Sequence, residues 1–540
     1  MDSISLSAVV DFIAAVTLGG YSAVRFCYKP LIFKQKKVTT LRQFILLLLL
    51  FSSLNAGAAN FPRPAALEPA VQFWIKVYTN ITTNQGYIHD AVDMSVIYET
   101  MDLPPYASNT DRGHLVTNAK FRVVKALTAI ARGKRSNLSE TEARVLAAWP
   151  KGASAEVFSR AADNVRFQLG QSDRFKEGLV RSGRWKPYIR SVLAEHDLPP
   201  ELAVLPHVES SFNPAVYSKV AAAGMWQFMP LTARDFMRVD HVADERLDPF
   251  LSTEGAIKLL KRNYKSTGTW PLALTSYNHG TGGMLRASQA MGTKDIALIV
   301  QKYQGPAFGF ASRNFYTSFL AALEVDQNAE RYFGSVKPDM PTNYDVVTVG
   351  EFIPAQALAR SAGISLDVLK EHNPALRESV WNGEKYIPQG YVVRLPRADL
   401  KQSLGQLLAA LPRDARFSYQ KPDLTHTIAA GDSLSTIARR YGTSVAKLMA
   451  LNGMQNHNIR AGRSLILPGN VMAEPTVAGR SAPGAPSTKA AAVYVIQSGD
   501  SLWSIARRFK VSQKQLVAWN GISEKSYIKP GQRLKVASSS

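Results

Sequence analysis

The stretch PHVESSFNPAVYSKVAAAGMWQFMP, residues 206–230, begins as a helix and carries a carboxylate where a helix turns its apolar side inward. Leu202, Leu205 and Glu209 fall at i, i+3 and i+7, the spacing of one helical stripe. A carboxylate seldom sits among leucines without a partner or a task, because burial disfavours its charged form. A carboxyl in such a place keeps its proton nearer neutral pH, which is what a general acid needs. Glu209 is therefore the first candidate for chemistry in this chain.

The 540 residues are too many for one ordinary domain and predict two to four. An apolar content of 46% with 20% charged residues is that of a globular chain with a sizeable core. The net charge of +22 draws the chain to polyanions: nucleic acid, anionic lipid or an acidic cell-wall polymer. The N-terminus narrows that choice. Lys34, Lys36, Lys37 and Arg42 form a basic lead, an apolar run follows from Phe44 to Leu54, and Ala56 and Ala58 make a small-x-small cleavage site. This is the layout of a secretory signal peptide, and the run is short for a membrane span. The residues ahead of the lead, with a weakly apolar stretch from Ala8 to Val24, are read as an upstream extension from a start codon placed too early; a true N-terminal anchor is the alternative. Cys27 is the one cysteine, so no disulfide forms within the chain and stability rests on packing. Export lowers nucleic acid as a partner and raises the cell wall.

Two internal repeats give the organisation. HTIAAGDSLSTIARRYGTSVAKLMALNG, from His426, and YVIQSGDSLWSIARRFKVSQKQLVAWNG, from Tyr494, align without a gap. Each predicts a strand, a GDSL turn whose Ser433 or Ser501 can cap a helix, a second helix stopped at Gly453 or Gly521, and a closing strand. This βααβ unit resembles the LysM module, which binds N-acetylglucosamine-containing glycans of cell walls. Residues 343–397 look like a third, diverged copy that lacks GDSL, which leaves its sugar binding open. Between the clear copies, residues 469–492 are rich in Ala, Pro, Gly, Ser and Thr and read as a flexible linker of about 25–30 Å reach, which favours avidity on a repetitive polymer. The last module carries eight Lys or Arg against two acids, read either as a solvated face or as attraction to an acidic wall polymer.

Three blocks resemble the lytic transglycosylases, a lysozyme-like family. The first is Glu209-Ser210, then Ser218, then GMWQF at Gly224–Phe228; the second is DERLDP at Asp244–Pro249; the third is ALTSYNHG at Ala273–Gly280. Met225 and Ser276 depart conservatively from the family pattern. The resemblance implies a peptidoglycan lyase. Its glutamate protonates the leaving oxygen of the MurNAc-GlcNAc β-1,4 bond and then takes the proton of the sugar's own 6-hydroxyl, giving a 1,6-anhydro-MurNAc end. An internal nucleophile outcompetes water through its effective concentration. By resemblance Ser218 and Gln227 bond the sugar, and Tyr277 bonds Glu209 or the substrate. Ser210, Trp226 and Asn278 complete the substrate-binding set. Core packing fits Trp226 and Phe228 as well as sugar contact does, and Asn278 also reads as a loop brace. His207 and His279 read as structural. Asp244, Glu245 and Asp248 offer a second carboxylate on paper, but a loop brace is the preferred reading. Family members often carry a lipid anchor on a cysteine at the cleavage site; this chain has none there, so a lipoprotein anchor is not supported.

The expected fold is mainly α: a signal segment over 1–59, a helical N-terminal region over 60–162, a lysozyme-like catalytic domain over 163–335, then small α+β modules at 343–397, 424–468 and 493–537. The expected partner is peptidoglycan, in the periplasm or cell envelope, with loose membrane association. No cofactor or metal is expected, since no clustered Cys/His ligands and no phosphate loop occur. A hydrolytic muramidase, which needs a second carboxylate, and a non-catalytic wall-binding scaffold are the alternatives.

Overall fold

The computed structural model describes residues 60–454, 456–468, 493–496, 502, 505–506, 509, 511–523, 528 and 531–536. The expected signal segment with Cys27, the linker and Ser501 lie outside the described residues. Two compact units divide near residue 471. As the sequence predicts, the architecture is mainly α with small antiparallel sheets.

Helix α1 (Glu68–Thr79) opens the first unit with Pro69 in its first turn, where the missing N–H is no loss. The sequence reading of 60–162 as helical needs correcting. Strands β1 (Gln85–Asp90) and β2 (Ile97–Asp102) form a hairpin there, and β3 (Val165–Leu169) joins it in the order β2-β1-β3. β1 is buried along almost its whole length, so it lacks the apolar–polar alternation that betrays a strand. Between β2 and β3 come α2 (Asn109–Ala131), α3 (Glu140–Ala147) and α4 (Ala155–Asp163), which share a core with the sheet around Ile88, Val123, Leu127 and Phe158.

The larger core runs from Phe61 to Val325, so α1 belongs to it rather than to a separate N-terminal region. Its helices are α5 (Ser172–Glu195), α6 (Leu205–Ser210), α7 (Pro249–Thr267), α8 (Trp270–His279), α9 (Thr281–Met291), α10 (Ile296–Lys302) and α11 (Phe310–Gln327). α11 is buried on nearly every side, as a helix apolar all round must be. Trp74 Nε1 of α1 donates to Asn314 Oδ1 at 3.3 Å, and Phe61 packs on Phe319 with ring centres 5.1 Å apart. The N-terminal segment is thereby sewn to the central helix.

Residues 343–397 hold β4 (Tyr344–Thr348), α12 (Ala355–Ala362), α13 (Leu366–His372) and β5 (Val392–Pro396), with β4 and β5 antiparallel from Tyr344↔Pro396 to Thr348↔Val392. This module docks on the helical domain. Arg394 pairs with buried Asp248, and Asp244 N–H donates to Ala375 O at 2.7 Å. Val242 and Ala243 enter the module's own core. The next module repeats the order with β6 (Leu424–Thr427), α14 (Leu434–Arg440), α15 (Val445–Leu451) and β7 (Ser464–Leu467). Ser433 caps α14 in a capping box with Thr436, and Gly453 follows α15 with φ +62°. The second unit contains β8 (Val493–Val495), α16 (Gln513–Asn520) and β9 (Arg533–Lys535), around a core of Ile496, Ile505, Leu516 and Leu534. Gly521 ends α16 in the left-handed conformation.

Candidate active site

A short helix places the key carboxylate. α6 follows a 3-10 turn over Pro200–Val204, and Leu202 and Leu205 are completely buried beneath it. The helix stops one residue after Glu209 because Ser211 and Phe212 turn left-handed, with φ of +52° and +58°. Neither is glycine, so this corner is strained, as functional loops often are. Arg181 of α5 steadies it by donating to Ser211 O from both Nε and Nη2, at 3.0 and 2.9 Å. Behind α6, His207 is fully buried, stacks on Phe175 and bonds Asp326 at 3.0 Å; Lys186 also pairs with Asp326. Burial keeps His207 neutral, so its role is structural.

Glu209 keeps part of its surface open to a cavity of about 440 Å³. Its carboxyl has no hydrogen-bond or ion-pair partner among the described residues. The protein packed around it disfavours the charged form and pushes its pKa up to about 8. Glu209 is thus a carboxylic acid at neutral pH, poised to give a proton.

The loop from Asn213 to Met229 adds Asn213 and Val216 to the cavity wall. Gly224 has φ +81°, and a Cβ there would lie 1.8 Å from Arg246 O, so only glycine fits. Arg246 is buried, with its Nε and Nη2 on Asp244 and Nη1 on the carbonyls of Ala221 and Phe228. Asp244 also accepts from the Tyr217 hydroxyl at 3.0 Å. Asp244 and Asp248 are therefore buried and engaged, and Glu245 accepts from Arg238 N–H. None of the three faces the Glu209 cavity.

The residues singled out by sequence gather around this loop in different roles. Ser218 Oγ accepts from the N–H groups of Val220 and Ala222, closing a turn and keeping its own proton to donate. Gln227, at φ +46°, donates its amide to Val216 O and Gly224 O, which leaves its side-chain oxygen free to accept. Ser210 Oγ donates to Met225 O at 2.7 Å and ties α6 to the loop. Trp226 requires a correction: it is fully buried, its Nε1 donates to Thr253 Oγ1 at 2.9 Å, and it cannot touch substrate. Phe228 is buried likewise. Tyr277 donates to Trp226 O at 2.8 Å and not to Glu209, although Glu209 lies close enough to add to burial in keeping the phenol protonated. Asn278 is exposed and accepts from Ser312 Oγ, and His279 meets the same hydroxyl. Sequence reasoning missed the α5 face of the cavity, where Arg174, Glu177 and Arg181 project and Glu177 pairs with Arg181 at 3.0 Å. Their spacing of i, i+3 and i+7 is the signal that marks a polar stripe there.

Residues 188–300 match the family described as Transglycosylase SLT domain, and residues 426–468 and 494–537 match the LysM domain. Membrane-bound lytic murein transglycosylase D of Escherichia coli (strain K12) is 27% identical over 407 residues, 70% of this chain and 85% of that one. The chain thus carries the SLT and LysM domains of a lytic transglycosylase. It is similar over 21% of its length to N-acetylmuramoyl-L-alanine amidase sle1 of Staphylococcus aureus (strain USA300), at 36% identity and 33% of that protein. The spore cortex-lytic enzyme SleL of Bacillus cereus is 26% identical over 22% of this chain and 23% of that chain, with a TM-score of 0.11, which supports no comparison of folds. The SLT match contains Glu209, the strained corner and Tyr277, whereas the cavity wall formed by Gln171, Arg174, Glu177 and Arg181 lies before it. Among the described residues no helix is long and apolar enough to cross a membrane.

Proposed function

We propose that this transglycosylase is a glycan lyase that cleaves the MurNAc-GlcNAc β-1,4 bond of peptidoglycan in the cell envelope, with Glu209 as its acid and base. The observation that carries the reading is an unpartnered carboxyl, packed in protein, whose pKa lies at about 8 beside an open cavity. Glu209 gives its proton to the glycosidic oxygen as the C1–O bond breaks. The resulting carboxylate then takes the proton of the sugar's 6-hydroxyl as O6 bonds to C1. Glu209 ends the cycle protonated, no water is consumed, and the product carries a 1,6-anhydro end. Ser218 Oγ–H and Gln227 Oε1, left unused by the hydrogen bonds within the loop, would bond sugar N-acetyl or hydroxyl groups, one as donor and one as acceptor. Tyr277, Ser210 and Asn278 hold the loop and its neighbours.

The modules at 424–468 and 493–537 would hold N-acetylglucosamine-containing glycan and keep the enzyme on its polymer. Export by the N-terminal segment and loose membrane contact belong to the same proposal. One observation favours a second reading. Glu177 lines the Glu209 cavity and supplies a second carboxylate, which a water-consuming muramidase needs. Mass spectrometry of products from purified peptidoglycan separates the two. The lyase yields anhydro ends, one water lighter than reducing ends, and Glu209→Gln yields none. Reducing ends from the wild type would move the assignment to the muramidase, and Glu177→Gln would then abolish them. No cleavage by the wild type would leave a wall-binding scaffold.

A further inference from the structure

A second and larger cavity, of about 650 Å³, lies beyond the loop that walls the Glu209 cavity. Asn213 and Val216 line the Glu209 cavity, whereas Ala215 and Tyr217 line this one, so the loop is a shared wall. The other walls come from far along the chain: residues 374–384 of the docked 343–397 module, and Ala450 and Leu451 of α15. The volume is that of a small-ligand site rather than of a surface dent.

Its chemistry is specific. Two aromatic side chains are pinned by their polar ends. The Tyr217 hydroxyl accepts from Arg377 Nη1 at 2.7 Å and donates to Asp244, which leaves a ring that is 47% exposed. Trp381 lines the cavity but is itself buried, 6% exposed, and its Nε1 donates to Leu376 O at 3.0 Å. Asn382 is exposed beside them. Glu384 also lines the cavity with a carboxylate whose Oε1 is buried without a hydrogen-bond donor in the protein. The charges on the lining balance, with Lys370, Arg377 and Lys447 against Glu371, Glu378 and Glu384. A strongly anionic or cationic ligand gains nothing from such a lining. A neutral ligand with apolar faces and many hydroxyl or amide donors fits it, and that describes an uncharged amino-sugar glycan.

We infer that this cavity is a second saccharide site, built jointly by the catalytic loop, the diverged module and the first LysM module. It rests on the peptidoglycan reading only for the choice of polymer. A strand held there presses on the loop that carries Ser218 and Gln227, so occupancy and catalysis share one wall.

The test is hydrogen–deuterium exchange on the full chain carrying Glu209→Gln, with the tetramer of N-acetylglucosamine as the probe. Slowed exchange over residues 374–384 and 215–217 is expected, alongside slowing in the LysM modules as an internal reference. Adding Asn382→Ala and Glu384→Ala should raise the probe concentration needed to protect 374–384 by about tenfold, with the 494–537 module unchanged. No slowing at 374–384 when both LysM modules are saturated overturns the proposal. Slowing caused by a stem-like tetrapeptide but not by the sugar overturns it as well. Protection at 374–384, with no product from the wild type on peptidoglycan, would keep this site and refute the lyase.

Discussion

Replacing Glu209 by Gln should make the protein more stable, and increasingly so as pH rises. The carboxyl has a pKa of about 8 in the folded chain against 4.5 unfolded, and burial is the cause. Between those values the unfolded chain has released the proton while the folded chain keeps it. The native state therefore binds more protons, and stability falls as pH rises through that window. If the whole shift counted, the loss between pH 4.5 and pH 7 would be about 3 kcal/mol. Glu209 is partly open to water in the cavity, so roughly half of that, about 1.5–2 kcal/mol, is the working figure. Gln does not titrate, and any fixed cost of burying its amide cancels when the two proteins are compared across pH. The assay is thermal or urea unfolding of both proteins from pH 4.5 to pH 9. The Tm difference should grow by a few degrees in favour of Gln up to about pH 8 and then level off. A difference that stays flat, or that shrinks with rising pH, would refute the claim that Glu209 is held neutral by its surroundings.

Three further outcomes are expected from the same geometry. The rate on peptidoglycan, as kcat/KM, should fall about tenfold per pH unit above about 8, where the free enzyme's acid ionises; a profile flat to pH 10 would exclude Glu209 as the acid. Gly224→Ala places a Cβ on Arg246 O at a left-handed φ, so activity should fall by at least about tenfold while circular dichroism keeps the helical signal. Arg394→Met strands the buried Asp248 carboxylate and should destabilise the first unit by about 3–5 kcal/mol in urea unfolding, whereas a loss under about 1 kcal/mol would show that the docked module contributes little.

Glu209 was legible because two independent signals met on it: a carboxylate on a leucine stripe and a three-block resemblance. The repeats were legible because a βααβ unit carries its caps and stops in the sequence, as Ser433 and Gly453 bear out. The catalytic loop was not legible in detail. Four non-glycine residues in and beside it, Ser211, Phe212, Ala221 and Gln227, have positive φ. Local preference argues against each, and only tertiary contacts such as Arg181 on Ser211 O hold them there. Trp226 read equally as core or as sugar contact because a motif gives the order of residues and not the side each faces. The β1–β2 hairpin escaped notice because near-complete burial erased the alternation of β1. Arg377 and Arg394 lie so far along the chain from Tyr217 and Asp248 that no local pattern could tie them together.

The lock between Asp248 and Arg394 bears on how such proteins are recombined. Judged by similarity alone, the SLT segment ends at residue 300 and could be cut out and grafted elsewhere. The buried carboxylate at 248, and the apolar side chains of Val242 and Ala243, make that cut an amputation, since Arg394 and the rest of that core arrive only with the residues after 343. Shuffling that kept this enzyme working would have to move residues 60–417 together, since the core of the docked module runs on to Ala415. The heritable module is thus longer than the domain that the family model outlines.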